Sequence, residues 1–129
     1  LEVVKKYGVD ATRYYLLSEI PSGEDGDFSF EKFEARYNGN LANGLGNYAA
    51  RTLTLAEKIG EFKNIEVVKE INKAIEETKV KVAIALDVFK LNEALTAIWE
   101  LISFGDRYIN ENKPWETNDK VIIYNAYMF

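Results

Sequence analysis

The sequence has 129 residues, of which 47% are hydrophobic and 29% charged, and its formal net charge is −5 at pH 7. This length suits a single domain with one hydrophobic core, and the apolar fraction excludes an intrinsically disordered chain. Because cysteine and histidine are both absent, the composition excludes disulfides, thiolate nucleophiles, imidazole bases and nearly all zinc chemistry, and we expect no metal site.

Prolines and glycines lie in clusters that divide the sequence into helix-length pieces, which predicts an all-α fold. Asp10 is the expected N-cap of a first helix, which the turn at residues 21–23 ends. A second helix is expected to begin near Ser29, and three aromatic rings recur on one of its faces: Phe30, Phe33 and Tyr37. The segment 38–40 (Asn-Gly-Asn) is a candidate for a break or kink in this helix.

Apolar stripes predict the core-facing sides of the remaining helices. The stripe that follows residue 40 consists of Leu41, Leu45, Tyr48, Leu55 and Ile59, and Gly60 offers a C-cap. A helix from about Ile65 to Phe89 has the stripe Val68, Ile71, Ile75, Val82, Leu86 and Phe89. After a short turn within residues 87–92, the next helix has the stripe Leu91, Leu95, Ile98, Ile102 and Ile109. It is expected to end near Lys113, because Pro114 disfavours helical geometry in the residue before it.

A last helix is expected to begin at Thr117 or Asn118 and to run to the end of the chain. No repeat or linker divides the sequence, so residues 1–129 are predicted to form one antiparallel helix bundle. The apolar stretches are much shorter than the roughly 20 residues that span a bilayer, and no secretory signal opens the chain. We therefore expect no membrane association and a cytoplasmic location. Both ends look cut, since the first residue is Leu1 and the last nine residues are an apolar run.

Nine short stretches follow one another in a fixed order: residues 6–11 (KYGVDA), 13–17 (RYYLL), 25–29 (DGDFS), 36–38 (RYN), 41–43 (LAN), 45–47 (LGN), 51–53 (RTL), 107–109 (RYI) and 113–115 (KPW). Together they resemble methionyl-tRNA synthetases, a family of class I aminoacyl-tRNA synthetases, from the first residues to Trp115. The opening stretch is also similar to the class I synthetases for valine, leucine and isoleucine. Each stretch alone is a weak signal, and the combination of all nine is much more specific.

The resemblance implies a C-terminal helix bundle of the class I synthetase anticodon-binding type. Residues 1–28 would begin with the connection that follows the signature loop of the catalytic domain, and the C-terminal helix would be truncated. Neither the signature loop nor a histidine-containing ATP motif occurs here. We therefore expect no catalytic residue and no cofactor in this chain, with ATP and methionine bound by the catalytic domain of a longer parent enzyme. The implied partners are that domain and the anticodon loop of methionine tRNA.

The resemblance also implies that four residues read the CAU anticodon: Asn47, Arg51, Pro114 and Trp115. Their chemistry suits this task. Asn47 and Arg51 are four residues apart, so on a helix they project from one face, where an amide and a guanidinium can meet base edges or phosphate. Trp115 offers a flat surface for an unstacked base, a contact worth roughly 1–3 kcal/mol, and Pro114 would fix the direction of the chain beside it.

Each of these residues also has a purely structural interpretation. Asn47 could lie on a solvated helix face, Arg51 could pair with Asp87 or Glu57, and Trp115 could pack over a helix end. The residues at 14–17 (YYLL) and the rings at 30, 33 and 37 are predicted to be core, and the acidic loop 24–27 lacks the spacing of an EF-hand. The negative net charge argues against a nucleic-acid binder, unless cations gather locally. Candidates for a basic patch are Arg51, Lys58, Lys63, Arg107 and Lys113.

The sequence therefore predicts anticodon recognition by one domain of a methionyl-tRNA synthetase, whose full-length form ligates methionine to tRNA with ATP. One alternative is the anticodon-binding domain of a class I synthetase for valine, leucine or isoleucine. The other is a structural helical module that docks on another protein surface and does not read RNA.

Overall fold

A computed structural model of the protein describes residues 2–23, 25–59 and 65–128, without the side chains of residues 58, 59 and 127. Throughout these ranges the ordered elements are helices, which confirms the expected all-α bundle. The elements are α1 (Glu2–Tyr7), α2 (Val9–Glu19), α3 (Phe30–Arg36), a π-helical segment (Tyr37–Gly46), α4 (Asn47–Ile59), α5 (Lys69–Asp87), α6 (Leu91–Asn112) and α7 (Lys120–Tyr127). The long helix α6 packs against α2, α5 and α7, and α7 also packs against α4.

The chain begins with a short helix, α1, that the apolar pattern did not predict. Gly8 separates α1 from α2 with a φ of 87°, a left-handed conformation that glycine adopts without steric cost. The prediction of Asp10 as N-cap was therefore wrong, because the turn falls at Gly8. Asp10 lies instead in the first turn of α2 and forms an ion pair with Arg13 at 3.6 Å. Helix α2 ends at Glu19, just before the predicted turn at residues 21–23.

The helical stretch from Phe30 to Ile59 is continuous. Ser29 caps it as predicted, since its hydroxyl accepts a hydrogen bond from the backbone N–H of Lys32. The Asn-Gly-Asn segment 38–40 does not break the helix but lies in its π-helical part. The backbone N–H of Asn47 reaches the carbonyl of Ala42, five residues earlier, so the wider π-helical turn continues to the first residue of α4.

Two other helix boundaries differ from the predictions because side chains bind backbone groups there. Helix α5 begins at Lys69, since the backbone N–H of Val68 donates to the side-chain oxygen of Asn125 at 2.7 Å. Helix α7 begins at Lys120, where the Asp119 carboxylate accepts from a backbone N–H, and it ends at Tyr127. The end of α6 at Asn112 and the turn before α6 agree with the sequence. The predicted C-cap at residue 60 lies outside the described residues.

The core consists of two clusters. Cluster 1 lies where α1, α2 and α3 meet, and its buried members are Val3, Ala11, Tyr15 and Phe33. Cluster 2 joins α4, α6 and α7, and its buried members are Tyr48, Leu55, Ile109, Ile123 and Ala126. Several residues that were predicted to be core are exposed instead: Leu16, Leu17, Phe30, Leu45, Leu86, Phe89 and Ile98. The core prediction was wrong for them, since each keeps at least 39% of its surface exposed.

Candidate functional site

The guanidinium of Arg51 lies between α4 and α6, held by two side chains of α6. One of its terminal nitrogens is 2.5 Å from a carboxylate oxygen of Asp106, and the other donates to the side-chain oxygen of Asn110 at 2.7 Å. Asn110 in turn donates to the second carboxylate oxygen of Asp106 at 3.1 Å. These three residues form a closed triangle of polar contacts. Since a guanidinium has five N–H donors, others remain for a ligand.

Trp115 lies in the turn that follows α6. Lys113 ends the helix with a φ of 42°, and the backbone N–H of Glu116 closes a turn onto its carbonyl at 2.8 Å. Pro114 is fully buried within this turn, whereas Trp115 keeps 46% of its surface exposed. Its indole N–H is 3.3 Å from the carboxylate of Glu116, and the Arg51 guanidinium carbon lies 5.7 Å from the centre of the indole ring. The turn therefore presents an aromatic surface beside a cation.

Arg51 and Trp115 both border a shallow hollow, the Trp115 pocket, whose other lining residues are Ala50, Thr54 and Leu55. Its volume is about 270 Å³. Apart from the guanidinium and one hydroxyl, this surface is apolar. It therefore suits a flat ring with a polar edge better than it suits an ion.

Asn47 borders a second hollow, the Trp99 pocket, which has a volume of about 430 Å³. Its lining residues are Gly39, Asn40, Asn43, Gly44, Asn47, Tyr48, Trp99, Ile102, Ser103, Asp106 and Arg107. Asp106 borders this pocket while its ion-pair partner Arg51 borders the Trp115 pocket. The structure therefore brings Arg51, Pro114 and Trp115 together at one hollow, and it places Asn47 at the adjoining one.

The charges near these pockets are largely paired. Arg51 forms an ion pair with Asp106, and the Lys113 ammonium lies 3.6 Å from the Glu116 carboxylate. Burial, together with the negative charge of Asp106, raises the pKa of Tyr48 to about 12, although Arg51 opposes this shift. The predicted basic patch is thus only partly described: Arg107 borders the Trp99 pocket, while the side chains of Lys58 and Lys63 lie outside the described residues.

The sequence did not identify the partners of Arg51. The structural interpretation named Asp87 and Glu57 as examples of a pairing acid, whereas the structure uses Asp106 and Asn110, which lie 55 and 59 residues further along the chain. A signal existed in the sequence, because Asp106 and Asn110 are four residues apart and so share one face of α6 shortly before Pro114. Nothing in one sequence, however, shows which helix α4 faces.

Within residues 2–23, 25–59 and 65–128, no helix is long and apolar enough to cross a membrane. Over the same ranges, no three Asp or Glu side chains lie close enough together to hold a metal ion. The groups at this surface include amides, the held guanidinium of Arg51 and the exposed indole of Trp115.

Comparison with known proteins gives the class first. A family profile described as tRNA synthetases class I (M) matches residues 1–53. Solved structures match nearly the whole chain: an apo form of Mycobacterium tuberculosis methionyl-tRNA synthetase has a TM-score of 0.82 and 28% identity, over 98% of this chain and 28% of that one. The same enzyme bound by methionyl-adenylate gives a TM-score of 0.81 with 29% identity, over 98% of this chain and 26% of that one. The fold is therefore that of a helical part of a class I tRNA synthetase.

Curated relatives identify the family within this class. Methionine–tRNA ligases of Clostridium perfringens and Caldanaerobacter subterraneus are 43% and 39% identical to the chain, each over 120 residues and 88% of its length. The chain belongs to the methionyl-tRNA synthetase family. It spans 18% and 19% of the length of these two relatives, so it is similar to about a fifth of each enzyme.

Proposed function

We propose that this chain recognises the anticodon loop of methionine tRNA. In this proposal the indole of Trp115 stacks on one anticodon base, and Arg51 contacts the edge or phosphate of a neighbouring nucleotide. Pro114 keeps the indole turned outward, and Asn47 supplies an amide next to the guanidinium. Single-stranded loops are the part of an RNA in which protein side chains can reach the pairing edges of bases.

One observation carries the proposal: the Arg51 guanidinium is held by Asp106 and Asn110 beside a half-exposed indole. An exposed arginine side chain loses conformational entropy when it binds a ligand, and this cost is smaller where neighbours already hold the group. An isolated surface tryptophan would need no such arrangement. The family membership of the chain supports tRNA as the ligand, because its relatives are methionine–tRNA ligases.

The test is a titration of the 129-residue chain with RNA stem-loops at one fixed salt concentration. One stem-loop carries CAU, and a second has the same stem with an altered loop. We expect tighter binding to the CAU loop, and we expect Trp115→Ala to weaken that binding about fivefold or more, as for loss of one stacked base. Phe89→Ala is the matched control, because Phe89 is 74% exposed and lies in the turn before α6.

Two results would contradict this function. Equal affinity for the CAU loop and the altered loop would show that the chain does not read sequence. An unchanged affinity of the Trp115→Ala variant would remove the stacking role. Circular dichroism of each variant checks that the helix bundle is intact.

The chemical steps of the longer enzyme belong, in this proposal, to parts of that enzyme outside this chain. We propose that the full-length protein ligates methionine to tRNA with ATP in the cytoplasm, through a catalytic domain that supplies the ATP and methionine sites. This chain would take no part in bond formation and would need no cofactor. The measurement is direct: the isolated chain should show no methionine-dependent exchange of pyrophosphate into ATP, whereas a full-length enzyme should.

A second candidate function is docking on another protein surface. It is favoured by the exposed apolar residues of α5 and the following turn, which include Val80, Ile84, Val88 and Phe89. The two functions are compatible, because these residues are distinct from those of the Trp115 pocket. If docking were the whole function, the Trp115→Ala variant would bind RNA as well or as poorly as the wild type.

A further inference from the structure

Helix α5 has an apolar row on an exposed side. The helix packs against α6, and its residues Ile71 and Ala85 are buried. Val80, Ile84 and Val88 follow one another at intervals of four residues, so they lie in a line along one face, which we call the α5 row. Each of the three keeps more than half of its surface exposed. A partner that covers the α5 row would remove this apolar surface from water.

Phe89, in the turn after α5, is the most exposed large apolar side chain among the described residues, at 74%. The backbone N–H of Lys90 closes the helix end by donating to the carbonyl of Ala85 at 2.8 Å, as in a Schellman motif. Phe89 occupies the position where such a motif usually has glycine, and its φ of 58° is a left-handed conformation that bulky side chains disfavour. The ring therefore costs stability in the isolated fold, and a contact with another molecule would account for it.

A shallow depression on α5, which we call the α5 hollow, can receive an aromatic ring. It is lined by Glu76, Glu77, Val80 and Lys81, and its volume is about 380 Å³. Val80 belongs both to this hollow and to the α5 row. The row thus has a depression at its N-terminal end, and the exposed ring of Phe89 follows its C-terminal end.

We propose that this surface binds a second copy of the chain, with the two α5 helices antiparallel and related by a twofold axis at Ile84. Ile84 then meets Ile84 of the second copy, and Val80 meets Val88. Phe89 and the α5 hollow lie at similar distances from Ile84 in opposite directions along the chain, so each ring reaches the level of the other copy's hollow. The same patch is used on both copies, as a twofold interface requires.

The charges around the α5 row favour this pairing. Asp87 and Lys90 lie on either side of the exposed ring, while Lys81 and two glutamates border the hollow that would receive it. Each charge of the turn therefore finds an opposite charge on the second copy. Within one chain Lys81 pairs with Glu100 at 2.9 Å, and Lys90 pairs with Glu93 at 2.7 Å. These exposed ion pairs can rearrange on binding at small cost, because such pairs contribute little to stability.

The proposed contact is small. Specific, stable complexes bury roughly 1,200–2,000 Å² in total, and a contact between one helix of each copy buries less. We therefore expect a weak dimer, with a Kd on the order of 100 μM. The dimer does not depend on anticodon recognition, because the residues that line the Trp115 pocket belong to α4 and to the turn after α6.

Single cysteines test the geometry, because the chain has none of its own. Ile84→Cys should form a disulfide-linked dimer under mild oxidation, since residues at a twofold axis come close enough for a disulfide. Leu53→Cys is the matched control, because Leu53 is also a largely exposed apolar residue but lies on α4. Non-reducing electrophoresis should show about tenfold faster linking for Ile84→Cys, because pairing raises the local concentration of the two thiols.

Val80→Cys and Val88→Cys distinguish an antiparallel pair from a parallel one. In the antiparallel pair the two copies of position 80 lie about 12 Å apart along the helices, so neither variant should link to itself. An equal mixture of the two variants should link. Self-linking of each variant as fast as that of Ile84→Cys would contradict the antiparallel arrangement.

Phe89→Gly separates the role of the ring in association from its role in the fold. Glycine adopts the left-handed conformation without strain, so the variant should unfold at or above the wild-type temperature. It should nevertheless raise the Kd of the dimer about tenfold, measured by sedimentation equilibrium from about 10 μM to 1 mM. Leu53→Ala is the control and should leave the Kd unchanged. A wild-type Kd for Phe89→Gly would overturn the contact between ring and hollow.

Two further results would overturn the dimer. One is a wild-type chain that stays monomeric at every concentration up to about 1 mM, which would leave the α5 row to a different partner, such as another part of the full-length protein. The other is equal linking of Ile84→Cys and Leu53→Cys, which would indicate random collision. Neither result bears on anticodon recognition, which the stem-loop titration tests separately.

Discussion

Asn125 is a fully buried amide that links two segments far apart in the sequence. Its oxygen accepts from the backbone N–H of Val68, and its nitrogen donates to the carbonyl of Val121, both at 2.7 Å. Asn125 lies in the apolar run at the end of the chain and the exposed Asn118 lies before it, but the sequence does not show which backbone groups the Asn125 amide binds. Its burial is evident only after α7 has packed against the stretch that precedes α5.

We expect Asn125→Ala to lower the free energy of unfolding by about 1–3 kcal/mol, because it leaves the N–H of Val68 without a partner. Urea unfolding of the variant and of wild type measures this difference. Asn118→Ala is the control, and it should change stability by less than about 0.5 kcal/mol. Equal stability of Asn125→Ala and wild type would show that water replaces the amide without loss.

The candidate site likewise has residues that the sequence predicted and contacts that only the structure reveals. The sequence predicted Arg51, Pro114 and Trp115 through family resemblance, and the structure places them side by side. It could not predict that Asp106 and Asn110 hold the guanidinium, because such a contact depends on how α4 and α6 face each other. The role of these residues in binding RNA stays a prediction until the titration is made.

Among the helical elements, the π-helical segment differs most from the prediction, which was a break or kink at residues 38–40. Its Asn-Gly composition is typical of a helix break, yet the chain stays helical from Phe30 to Ile59. Packing provides the reason, because Trp99 lies against Gly44 and Asn40 binds Tyr14. Contacts with α2 and α6 therefore override the local preference of the glycines.

Two glycines of this segment give a matched pair of substitutions. Gly44→Ala should destabilise the protein by about 1–3 kcal/mol, because the new Cβ lies 3.1 Å from Trp99 and 3.2 Å from the carbonyl of Gly39. Gly39→Ala should stabilise it by about 0.5–1 kcal/mol, because the site is open and alanine favours a helix. Thermal unfolding of both variants checks the opposite signs. If both changes destabilise, helix propensity does not apply in this widened segment.

At the scale of the whole molecule, the two core clusters are connected through the contact between α2 and α6. The rings of Tyr14 and Trp99 meet there edge to face, with centroids 6.0 Å apart. Trp99 lies at this contact, Trp115 lies in the turn after α6, and neither is a buried member of cluster 1, so tryptophan fluorescence reports on structure outside that cluster. Tryptophan fluorescence can therefore test whether the two clusters unfold together.

We expect Phe33→Leu, a change in cluster 1, to lower the unfolding midpoint seen by tryptophan fluorescence and by circular dichroism to the same extent. Phe33 is 1% exposed, and loss of its ring should cost on the order of 1–3 kcal/mol. Coincident transitions are the mark of a single cooperative unit. Phe30→Leu is the control, because Phe30 is 48% exposed. A shift in circular dichroism without one in fluorescence would mean that the two clusters unfold separately.

One sequence was enough to predict the helical class, the cap at Ser29, the end of α6 before Pro114 and the family of the chain. These features depend on residues close together in the chain, or on ordered motifs that one sequence contains. The folded chain was needed to reveal the partners of Arg51, the burial of Asn125, the continuity of the helix through its glycines and the Trp99 pocket. The physical reason is that each of these depends on which helix faces which, and contacts between distant segments leave no periodic mark in a single sequence.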